Sequence, residues 1–144
     1  VLNEELLNYL KKHWRGVLGL IDVDKPYCIP MAYIIYNNDV YFLFVKEGRK
    51  TECLKRNRNA CYLVELLEHG KHVSILMEGY LEKTYDLEKV KKVLELFVKH
   101  IVPKDAYLRG FEFNIDELAR QYVYSDTYAG IYRFVIKNYS IMIK

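Results

Sequence analysis

Between residues 17 and 85 the chain never sustains a long apolar run. It breaks instead into short strand-like segments separated by polar or glycine-containing turns. Val17–Ile21, Tyr27–Tyr36, Val40–Val45, Ala60–Leu66 and Val73–Tyr85 read as five strands. Connections as short as Asn37–Asp39 allow only antiparallel neighbours, because a parallel pair needs a crossover of a dozen residues or more. A meander with exposed edges is prone to mispairing, and closure into a small barrel removes those edges. Pro30 interrupts the second strand, so that strand is expected at an edge or bulged. Gly79 interrupts the fifth.

Helical periods flank these strands. Leu2, Leu6, Leu10 and Trp14 recur at helical spacing behind Asn3, a good N-cap. This predicts an N-terminal helix, with His13 near its end. Lys50–Asn59 can form a short helix with Cys53 and Leu54 facing inward. From Asp86 onward, Leu87, Val90, Leu94, Phe97 and Ile101 line one face of the clearest helix, which stops before Pro103. A strand around Leu108–Phe113, a helix over Ile115–Tyr122 and a strand over Ile131–Ile136 complete the expected order. The length of 144 residues suits one domain, residues 1–144, and 51% hydrophobic with 28% charged residues suits a folded one. The longest apolar stretch, Val40–Val45, is six residues, against roughly twenty for a membrane helix. No basic segment followed by an apolar one opens the sequence, so a cytoplasmic, non-membrane protein is expected.

The formal charge of +3 is too small to mark a nucleic-acid binder, and no RNA-recognition signature accompanies it. The cations are nevertheless clustered: Lys46, Arg49, Lys50, Lys55, Arg56 and Arg58 fall close together. Within that cluster, Gly48-Arg49-Lys50 lies between an apolar strand and a helix start. Exposed amides there, an arginine fork and a lysine point charge suit a phosphate monoester, although a solvated basic surface would look the same. No G-x-G-x-x-G or Walker loop is present. Cys28, Cys53 and Cys61 are odd in number and form no CxxC pair, which disfavours a disulfide framework and a zinc site. His69 and His72 could approach across a turn, but lack a third ligand. No nucleophile–base set can be assembled from spacing alone, so an enzyme built on this chain would rely on an organic cofactor.

The ordered segments GVLGLIDVDKPYCIPMAYIIYNNDVYFLFVKEGRKTECLKRNRNACYLVE, VSILMEGYLEKTYDLEKVKKVLELF and GIYRFVIKNYSIMIK resemble the pyridoxamine 5'-phosphate oxidase-like split-barrel flavoproteins, especially the branch containing the nitroimidazole-resistance proteins. The resemblance runs over residues 14–144. It implies a mainly β protein with flanking helices, a six-stranded split β-barrel, assembled as a homodimer with FMN at the subunit interface. By the same resemblance, Cys28, Ile29, Pro30, Met31, Ala32 and Tyr33 line the flavin, largely through backbone contacts. Leu43, Phe44 and Val45 run beside the ring and ribityl chain, and Arg49 and Lys50 bind the phosphate. Leu43 stands where many nitroimidazole-resistance proteins carry a histidine, a departure that removes a polar side chain from the site. Arg133 is a candidate to reach across the dimer. The implied activity is an FMN-dependent oxidoreductase passing electrons from a reduced nicotinamide or other donor to a small acceptor. A noncatalytic flavin- or haem-binding homodimer is the second reading, and no axial histidine for haem is evident.

Overall fold

A computed structural model describes residues 2–144. Helix α1 (Glu4–Leu10) begins where Asn3 Oδ1 accepts the amide hydrogen of Glu5 at 2.8 Å, and it buries Leu6, Leu7 and Leu10. It ends before His13, which lies just beyond it. Strands β1 (Arg15–Asp22), β2 (Lys25–Ala32), β3 (Ile34–Tyr36) and β4 (Asp39–Phe44) lead into α2 (Arg49–Arg56). Strands β5 (Asn59–Glu68) and β6 (Lys71–Lys83), helices α3 (Leu87–His100) and α4 (Ile115–Tyr124), and strand β7 (Gly130–Ile143) follow. No helix among the described residues is long and apolar enough to cross a membrane.

The strands form one antiparallel seven-stranded sheet in the order β2-β1-β5-β6-β7-β4-β3. Its two ends, β2 and β3, are consecutive in sequence and separated only by Tyr33, so the chain itself passes from one edge to the other and the sheet curls into a barrel. The expected strand Tyr27–Tyr36 is thus a single run bent at Tyr33. Six strand-forming runs become seven strands because the halves of that run pair with different neighbours. Tyr33 anchors the bend: its N–H donates to Trp14 C=O (3.0 Å) and its hydroxyl to Leu10 C=O (2.6 Å).

Pro30 pairs with Val17 in unbroken register, so no bulge forms there. The edge position alone accommodates it. With the Tyr33 amide bonded to Trp14 C=O, just before β1, strand parity turns positions 28, 30 and 32 away from β1, where a missing donor breaks no ladder bond. Gly79 does mark an irregularity, a register shift against β7 at Glu78/Gly79. A side chain there would collide with Val135 C=O, which lies 1.8 Å from where its Cβ would sit.

Two cores share strand β4. Phe42 and Phe44 point into the barrel, against Tyr62, Phe134 and Tyr132, while Tyr41 and Leu43 point outward beneath α3 and α4. A strand covered on both faces has to be apolar throughout, which explains the unbroken run Val40–Val45. Each such fully buried aromatic contributes roughly 2–3 kcal/mol of transfer free energy. One expected element is absent. Leu108–Phe113 is not a strand but a 3-10 turn, Leu108–Gly110, with an extended tail. Asp105 Oδ1 accepts from the amides of Tyr107 (2.9 Å) and Leu108 (3.1 Å), which closes the turn. Phe111 then packs on Tyr107 and Phe113 rather than entering a ladder.

Candidate functional site

The elements converge on an open cavity of about 360 Å³, at the small end of the range for ligand sites. The edge strand β2 supplies Ile29, Pro30, Met31 and Ala32, β4 and its exit supply Leu43 and Val45, and α2 supplies Lys50. Arg15, Tyr27 and Phe97 complete the wall, and the 3-10 segment closes one side with Asp105, Tyr107 and Leu108. The lining is therefore apolar over β2 and β4 and charged at the α2 end.

Lys50 dominates the electrostatics. Its ammonium is half-buried, and among the described residues no carboxylate lies within ion-pair distance. The polar contact it does make is to the Met31 thioether sulfur at 3.7 Å, with the Tyr107 ring 5.7 Å away. Burial holds its pKa below the ordinary lysine value, and the more distant Asp105 carboxylate only partly opposes that. The first helical bond of α2 runs from Glu52 N–H to Gly48 C=O (3.0 Å), so the amides of Arg49, Lys50 and Thr51 precede the hydrogen-bonded ladder. Thr51 Oγ1 fixes the corner by accepting from Gly48 N–H and donating to Gly48 C=O, both at 2.9 Å. A desolvated cation beside open helix amides is an arrangement an anion completes.

The remaining expected residues lie elsewhere. Arg49 turns away from the cavity: its guanidinium binds Asp22 Oδ2 at 3.0 Å and lies 3.9 Å over the Tyr27 ring, with its side chain 60% exposed. It reaches the cavity only through Tyr27. Tyr33 and Phe44 project into the barrel core. The Cys28 side chain faces a separate cleft on the outer barrel wall. Arg133 is held within its own chain by Glu82 (3.4 Å) and Asp39 (3.7 Å). His69 and His72 approach Glu68 and Glu65, respectively, and among the described residues no three His, Cys, Asp or Glu side chains gather as a metal site.

Asp105, Tyr107 and Leu108 are cavity residues that the strand expected over Leu108–Phe113 concealed. Asp105 placed two residues before Tyr107 is an Asx-turn signal, and it was the available clue. Arg15 and Phe97 carry no local signature.

A sequence profile described as pyridoxamine 5'-phosphate oxidase matches residues 3–130. Among solved structures, an FAD-binding protein from Mesorhizobium loti superposes with a TM-score of 0.72 at 17% identity, covering 100% of this chain and 96% of that one. The FAD binding protein from Mycobacterium smegmatis gives a TM-score of 0.65 at 11% identity, over 99% of this chain and 95% of that one. HutZ, the haem storage protein from Vibrio cholerae, gives 0.64 at 12% identity, over 99% and 94%. Identities this low establish the fold alone. Comparison with curated proteins finds no match.

Proposed function

Because the chain belongs to the pyridoxamine 5'-phosphate oxidase family, we propose that it is an FMN-dependent oxidoreductase acting on a small acceptor, with a reduced nicotinamide as a candidate donor and with two copies sharing each flavin. The carrying observation is Lys50, an ammonium half-buried at a helix start without a carboxylate partner. The residues present fit the phosphate and ring of a flavin mononucleotide. Lys50 and the first α2 amides hold the phosphate, while Thr51 keeps the corner rigid. Pro30, Leu43 and Val45 offer an apolar wall to a planar ring. The outward-turned backbone of β2 at Cys28 and Ala32 offers hydrogen-bonding groups to its heteroatoms. Arg49 contributes through Tyr27, stiffening that ring by stacking.

Bound flavin supplies the redox chemistry, accepting and returning an electron pair. The protein's part is to bind, orient and keep one edge of the ring open. Histidine is not among the residues with which this chain lines the cavity, which leaves proton exchange to solvent at the open edge.

Absorbance of the protein as purified, followed by calorimetric titration with FMN and riboflavin, tests this reading. Flavin bands, or FMN binding at least tenfold tighter than riboflavin, are expected. A Soret band, or equal affinity for the two flavins, would overturn it.

A further inference from the structure

The cavity carries a second cation besides Lys50. Arg15, the first residue of β1, is in register with Ala32 of β2. Alternation from the buried Leu18 and Leu20 puts Arg15 on the outward face of the barrel, beside Ala32 and Pro30 of the cavity wall. Lys50 instead meets the sulfur of Met31, a side chain that packs into the barrel core. The two cations thus meet different faces of β2.

Among the described residues the ion pairs do not include Arg15. Its guanidinium lies 6.0 Å from the centre of the Trp14 ring, and the Lys104 ammonium, which also makes no ion pair, lies 5.4 Å from the same ring. Trp14 is a fixed platform, since its C=O accepts from Tyr33 N–H and its side chain packs on the core beneath α3. Two cations gathered at one indole repel each other, and an anion arriving at the cavity relieves that. Asp105, the one carboxylate among the lining residues, does not serve: its Oδ1 accepts from the amides of Tyr107 and Leu108, and its charge acts on Lys50. Arg15 opens a strand rather than a helix, so it lacks the free amides that a phosphate gains at α2. A planar carboxylate needs only the guanidinium fork.

We propose that Arg15 determines the specificity of the acceptor site and selects a small carboxylate. The guanidinium grips the carboxylate through two parallel N–H···O bonds, and the apolar body of the acceptor lies along Pro30 and Ala32. That the bound molecule is the acceptor rests on the flavin reading above, whereas the carboxylate grip does not.

Benzoate is the probe and benzamide its neutral counterpart, titrated by calorimetry into FMN-loaded whole chain. Benzoate should bind at least tenfold tighter than benzamide and tighter than phenyl phosphate, and it should shift the flavin absorbance bands, the mark of a ligand against the ring. Arg15→Gln should abolish the preference for benzoate and Arg15→Lys should keep part of it. Both variants should retain the wild-type preference for FMN over riboflavin, which separates this site from Lys50. The same titrations in flavin-free Lys50→Met, where α2 cannot answer for Arg15, decide the carboxylate grip even for a chain that takes no FMN, a failure that belongs to the flavin reading. Equal affinity for benzoate and benzamide, tighter binding of phenyl phosphate, a preference that survives Arg15→Gln, or loss of the FMN preference in Arg15→Gln would overturn the proposal.

Discussion

Lys50 makes the most specific demand at the scale of single residues, because its ammonium is desolvated and paired only with sulfur. Charge-assisted contacts to a phosphate contribute about 1.5–3 kcal/mol, so Lys50→Ala should weaken FMN binding about 10- to 100-fold by calorimetry and leave riboflavin nearly unaffected. A pH signature accompanies it. The folded-state pKa of Lys50 is depressed by burial, so the unfolded chain binds more protons between that depressed value and the ordinary one of about 10.4. Stability therefore rises with pH across that interval and is lowest, for this group, below it. Without ligand, wild type should gain stability relative to Lys50→Met as the pH rises toward the ordinary lysine value in denaturant titrations, and saturating FMN should abolish the difference. A parallel response of the two proteins would contradict the burial argument. The four histidines lie outside the cavity lining, so replacing each in turn should leave anaerobic flavin reduction within about tenfold of wild type by stopped flow, where loss of a general acid or base would cost more.

Turns and bulges carry the local tests at the scale of elements. The β1–β2 hairpin places Val23 at φ 63°, a conformation suited to glycine or asparagine and strained for a β-branched residue. Val23→Gly should stabilise the fold by about 1 kcal/mol, measured by chemical denaturation, and a destabilisation would show that the valine side chain contributes packing instead. Asn37 and Asn38, at φ 48° and 63°, place both central residues of the β3–β4 turn at positive φ, with side chains that tolerate it. Gly79→Ala should destabilise by about 1–3 kcal/mol, because Val135 C=O occupies the added methyl's place. These local features also show what could be read from the sequence. Asn-Asn and the interrupting Gly79 announced a turn and an irregular strand, and the period of α3 announced a helix. The 3-10 segment reads as a strand in sequence because Leu108, Phe111 and Phe113 look like one, whereas the Asp105 cap and aromatic stacking decide the outcome. Strand β7 extends to Ile143, past the expected Ile136, because ladder bonds to β6 hold a polar stretch, Lys137–Ser140, whose own pattern carries no strand signal.

Closure of the barrel at the scale of the molecule depends on one bend at Tyr33, which puts the edge strand β2 beside the end of β4 and so assembles the cavity wall. Family resemblance made the barrel legible and named Pro30, Leu43 and Lys50 for one site, but it did not show the bend, because Tyr27–Tyr36 reads as a single strand. It did not show that Arg49 is committed to Asp22 and Tyr27, since those partners come from the β1–β2 hairpin and depend on tertiary geometry. A cavity of about 360 Å³ that is open to one side suits a flavin whose remaining surface is covered by a second copy, with an interface expected to bury roughly 2,000 Å² or more in total. The proposed cofactor is held between two chains, and sedimentation velocity of FMN-loaded protein followed at the flavin absorbance measures that directly. Over a dilution series, flavin should travel with a dimer boundary and leave the protein as the dimer dissociates, with added FMN driving reassembly. A monomer that carries FMN with unchanged affinity at every dilution would contradict it.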